Sequence, residues 1–151
     1  MKRALLVAVL AGGCGVGPGA MDPVDPEVLD RLWVEVYGMS GPAPRVEWVY
    51  PERFNCDDGI APWGWLDEAG RCVQGQALSS TRVRVGVKPE RLISDWFIAH
   101  EFSHARDFAL GGDGDFWHKG QGFGRGSFQQ RAQDWLDAEF GTQREHPEWV
   151  P

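Results

Sequence analysis

The stretch His100-Glu101-Phe102-Ser103-His104 sets the terms on which the rest of the chain is read. It has the form H-E-x-x-H. On an α-helix, residues four apart share a face, so two imidazoles at this spacing reach one metal ion. Zn²⁺ suits neutral imidazole and tolerates a site with an open position. Glu101, one residue after the first histidine, is placed to take a proton from metal-activated water, the work of a general base. The competing reading is a polar helix face with two ordinary histidines. The flanks favour a helix packed on one side. Ile98, Phe102, Ala105 and Ala109 form an i, i+4, i+7, i+11 stripe, with both histidines off it. Gly111-Gly112 stops that helix.

Reading onward, His118 follows His104 after thirteen residues, so three of the four histidines fall within nineteen positions. A catalytic zinc takes three protein ligands and keeps one position for water. The connector Gly111-Gly112-Asp113-Gly114-Asp115 gives the chain freedom to fold back and bring His118 to the metal. Asp113 and Asp115 are alternative oxygen ligands, ranked lower because Asp is common in turns anyway. Asp107 lies on the same helix face as His100. It is a candidate acceptor for a ligand imidazole N–H; a surface ion pair is the alternative.

H-E-x-x-H is shared by the zincin metallopeptidases, which this segment resembles. The spacing to His118 and the stretch His118-Lys119-Gly120-Gln121-Gly122-Phe123 look like the SprT-like branch. The resemblance implies a zinc cofactor held by His100, His104 and His118. It implies Glu101 as catalytic base, a zinc-bound water as nucleophile, and a protein or peptide as substrate. It also implies a fold: a minimal zincin-like α+β domain, with a small antiparallel or mixed sheet and a central metal-binding helix. It covers roughly residues 94 to 126. It departs where Lys119 stands in place of the glycine that usually follows the third histidine. The H-x-x-G-x-x-H continuation of metzincins is missing. The alternative function is a non-catalytic zinc-binding or structural lipoprotein domain.

Toward the N-terminus, residues 1–14 read as an export segment. A basic head, Lys2-Arg3, precedes the apolar run Ala4 to Leu10 and the small-residue junction Ala11-Gly12-Gly13-Cys14. The run is too short to span a bilayer. It resembles a bacterial lipoprotein signal, which implies lipidation of Cys14 and a membrane-anchored position in the cell envelope. A plain secretory signal, with a secreted or periplasmic product, is the competing reading. Three cysteines are odd for an exported chain. With Cys14 lipidated, Cys56 and Cys72 remain as a disulfide pair, and closing that loop is worth about 3 kcal/mol in the chain-entropy model. Two reduced cysteines or a second zinc site are the alternatives.

Residues 15–24 are a Gly/Pro-rich tether, 25–145 the metallopeptidase domain and 146–151 a tail that holds His146. Asp25-Pro26-Glu27 is a helix start, with Val28, Leu29, Leu32, Trp33 and Val36 as the apolar face and Gly38 as the stop. Residues 46–50 form a strand ending at Pro51, and 70–75 a short second one. The clearest strand is 81–87, with Val83, Val85 and Val87 on one side and Arg82 and Arg84 on the other. By analogy with zincins, this strand is a candidate edge for an extended substrate; a half-exposed strand with solvated arginines is the alternative. Ser127 with Gln130 opens a last helix, whose face is Phe128, Trp135, Leu136 and Phe140 and whose stop is Gly141. Arg125 is a candidate for oxyanion stabilisation.

Charge narrows the partners. Of 15 basic residues, two lie in the export segment, leaving 13 against 22 acidic ones, a net −9. No basic patch for nucleic acid is legible, so no nucleic-acid partner is expected.

Overall fold

The computed structural model describes residues 24–50, 53–56, 64–87, 91–114 and 126–141, with side chains in the second helix described from Asp95 onward. Cys14, Asp115, His118, Arg125 and His146 lie outside the described residues.

Each helix begins or ends on local chemistry visible in the sequence. α1 spans Pro26–Glu35; the Asp25 carboxylate accepts the Glu27 amide at 2.8 Å as N-cap. α3 spans Phe128–Phe140; Ser127 Oγ accepts the Gln130 amide at 3.1 Å, and Gln130 Oε1 accepts the Gly126 amide at 2.7 Å. α2 spans Arg91–Ala109, and Gly111 follows it with φ of 84°.

The strands are β1 (Arg45–Val49), β2 (Trp65–Leu66), β3 (Cys72–Val73), β4 (Gly75–Ser79) and β5 (Arg82–Gly86). They form two sheets, making the described chain α+β. One is mixed, in the order β1-β5-β4, with β1 parallel and β4 antiparallel to β5; the other is the antiparallel pair β2-β3. β5 alternates as its sequence does. Val83 and Val85 are fully buried, while Arg82 and Arg84 reach to Glu47 on the opposite face.

One expectation is corrected here. β5 is the middle strand and is paired on both sides, so residues 81–87 have no edge to offer. The strand beside the H-E-x-x-H helix is β4, which the sequence reading missed. It carries no β-branched or aromatic residue, so propensity gives it no signal.

α2 packs on β4 and β5 on one side and on α3 on the other. Ile98, Ala99, Phe102 and Ala105 are fully buried. Ala109, expected on the same stripe, is exposed because the helix is ending there. Trp33 of α1 meets Phe102 edge-on at 5.6 Å, and the core continues through Leu29, Leu32, Tyr37 and Leu136. Tyr37 donates its hydroxyl to the Ala99 carbonyl at 2.7 Å, which fixes the buried back of α2. Among the described residues, no helix is long and apolar enough to cross a membrane.

Candidate metal centre

A helix buried on its back and walled by a strand must present its remaining face to whatever space lies between them. Here that space is a cleft of roughly 480 Å³, bordered by His100, Glu101 and His104 of α2, Gly75 and Ala77 of β4, and Gly114 beyond the helix. The three motif residues therefore share one cavity. Helical spacing brings the two imidazoles together with Nε2 atoms 3.0 Å apart. Two nitrogens bound tetrahedrally to one zinc at about 2.05 Å stand about 3.3 Å apart, so this spacing is close to that of a ligand pair.

The outer nitrogens are engaged as well. His104 Nδ1 is hydrogen-bonded to the Gly114 carbonyl, and His100 Nδ1 faces Gln129 Oε1 at 3.4 Å. A carbonyl oxygen only accepts, so the bond to Gly114 places the His104 proton on Nδ1 and leaves its Nε2 as the acceptor nitrogen. Trp96, one turn before His100, stacks on its ring at 5.4 Å and 14°.

Glu101 is 4% exposed. Burial pushes its carboxyl up to about 8, although the Ala77 backbone amide, donating to it, works in the other direction. The strand comes this close only because residue 75 has no side chain. A Cβ at Gly75 would stand 2.4 Å from Glu101 Oε1.

Other expected residues fall as follows. Asp107 does not touch an imidazole. It accepts the Gly114 amide at 2.8 Å, so it holds the residue whose carbonyl, in the next peptide unit, meets His104 Nδ1, and it acts further out than expected. Asp113 borders the cleft. Among the described residues, no third His, Cys, Asp or Glu joins the pair in a group of three that could hold a metal. Cys56 and Cys72 form a disulfide with Cα atoms 5.9 Å apart, and Cys72 lies on the cleft wall just ahead of β4.

Gln129, Gly114, Gly75 and Trp96 were not singled out as site residues from sequence. Trp96 alone carried a usable signal, being four residues before His100 on the same helical face. If the two imidazoles hold zinc, replacing Gln129 by leucine should weaken its affinity by about 10–100-fold while leaving the helices intact, because a partner that orients a ligand is lost. Competition with a chelating dye measures this; an unchanged affinity would show that Gln129 does not orient His100. Comparison with protein-family models, with curated proteins and with solved structures finds no match to this chain.

Proposed function

We propose that the chain is a zinc-dependent peptidase of zincin type, acting on proteins or peptides outside the cytoplasm. One observation carries this reading: the two Nε2 atoms face each other at 3.0 Å, the outer nitrogen of His104 is bonded to the Gly114 carbonyl, and that of His100 faces the Gln129 side-chain amide. That spacing, with each imidazole held from its outer nitrogen, supports the reading of the two side chains as a ligand pair. His100 and His104 would hold the ion, with His118 as the proposed third ligand. Bound zinc supplies Lewis acidity toward water and toward a carbonyl.

The protein's own residues do the rest. Glu101 takes the proton of the attacking water and returns it to the leaving amine. Its burial supports this, because a carboxyl raised toward neutrality is matched to accepting and releasing a proton near pH 7. β4 supports a peptide substrate. Among the described residues it pairs on one side only, and Gly75 and Ala77 border the cleft, so an extended chain can lie along it. The disulfide supports an oxidising compartment, and anchoring through a lipid on Cys14 is part of the same proposal. Nucleic acid is not among the proposed partners.

Metal analysis of the purified chain tests the reading. Wild type is expected to hold one zinc per chain at neutral pH. His104→Ala and His118→Ala should each lose it or bind at least 100-fold more weakly. Absence of stoichiometric zinc from wild type ends the proposal, and unchanged zinc in His118→Ala moves the third ligand elsewhere.

A further inference from the structure

A second cleft, of roughly 350 Å³, lies where β1 and β5 meet the segment around Arg53 and the β2 strand. It shares no lining residue with the metal cleft. Its polar side is set by charge. Glu47 takes Arg82 Nη2 at 2.7 Å on Oε1 and Arg84 Nε at 3.0 Å on Oε2, so one carboxylate is divided between two guanidinium groups. Those contacts hold the Glu47 carboxyl below the usual range. Among the described residues, nothing meets the terminal nitrogens of Arg84, and the Arg53 side chain has no ion-pair partner. Arg45 stands beside Arg82 in the register. Two arginines thus share one carboxylate and a third, Arg53, lines the same cleft, in a chain whose formal charge is −7.

The other walls are apolar: Trp48, Val49, Trp65 and Leu66. Leu66 is 50% exposed, a large apolar side chain left at the rim. Asn55 holds its amide through Oδ1 at 3.0 Å, which ties the rim to the floor. A planar guanidinium fork matches the two oxygens of a carboxylate. A cavity near the small end of the ~300–1,000 Å³ range for ligand sites takes one or two residues rather than a long segment.

We infer that this cleft binds the C-terminal end of a peptide, its carboxylate on Arg53 and Arg84 and an apolar last side chain between Trp48, Trp65 and Leu66. The occupant is anionic at one end and apolar at the other, complementary to the guanidinium groups on one side of the cleft and the apolar walls on the other. This does not depend on whether the other cleft holds zinc.

The test uses the full chain, ¹⁵N-labelled, titrated with N-acetyl-leucine and separately with N-acetyl-leucinamide. The acid is expected to shift the Trp48 and Trp65 indole signals and the Leu66 amide in a saturable way. The amide should bind at least tenfold more weakly. Arg53→Gln, which removes no ion pair among the described residues, should weaken the acid at least fivefold. Inorganic phosphate should compete poorly, since it lacks the apolar body. Equal response to acid and amide, an undiminished response in Arg53→Gln, or phosphate binding as tightly as the acid would each overturn the assignment.

Discussion

Glu101→Gln is expected to reduce peptide hydrolysis by about 10²–10⁴-fold, the usual worth of a positioned general base, while zinc content stays at one per chain. The same substitution should stabilise the metal-free protein, and the two effects share a cause. In the folded chain the carboxyl titrates at about 8, against an ordinary 4.5, because it is buried. Below the ordinary value, both folded and unfolded chains carry it neutral and it contributes no penalty. As pH rises through that value, the unfolded chain ionises and the folded one does not, so stability falls. The fall continues until pH passes about 8, where the folded carboxyl also ionises and the penalty is complete. At pH 7 the penalty is about 3 kcal/mol, the difference between the two titrations converted at ~1.4 kcal/mol per unit. Glutamine keeps the bond from the Ala77 amide and has no charge to bury. Denaturant unfolding of the metal-free pair should therefore show the variant ahead, by little at pH 5 and by most at pH 8. A difference that does not change with pH would mean that the carboxyl is not held neutral. Zinc should narrow the gap, since a nearby cation favours the carboxylate.

This coupling explains why part of the site could be read from the chain and part could not. The motif residues sit on one helix, and helical spacing alone brings His100, Glu101 and His104 to a common face. The caps at Asp25 and Ser127 are equally local, each made by a side chain reaching two or three residues along. Everything that tunes the motif comes from far along the chain or from backbone atoms. Gln129 arrives from α3, across the interface with α2. Gly114 contributes a carbonyl, which has no residue type to recognise. β4 reads as Gly-Gln-Ala-Leu-Ser, a sequence with little preference for a strand, and it is one because β5 and α2 hold it in place. The assignment of the edge to residues 81–87 failed for the same reason. The stretch with the strongest pattern, with its two buried valines, belongs in the middle of a sheet, covered by α2, while edges are drawn from weaker sequences. The buried polar side of α3, with Gln129 and Gln133 almost fully enclosed, also runs against a reading by apolar stripes, which marked only Phe128, Trp135, Leu136 and Phe140.

Gly75→Ala should separate catalysis from metal binding. The backbone of Gly75 is not in the left-handed region, so alanine fits the strand without dihedral strain. What it cannot do is share space with Glu101. The added methyl carbon would lie 2.4 Å from Oε1 and 2.9 Å from Cγ, and the carboxyl is the part able to give way. Displacement of a general base by about 1 Å costs on the order of 10²-fold in rate. The loss should appear in kcat, because Gly75 does not touch the imidazoles and zinc should stay bound at wild-type stoichiometry. Placed on the Glu101→Gln background, Gly75→Ala should add little further loss, because both changes remove the same function and such effects are not additive. Full activity in Gly75→Ala would show that the base does not need the position it occupies against β4. Loss of zinc in the same variant would show instead that β4 supports the ligands, and either result would overturn the assignment of Gly75 as the residue that makes room for the base.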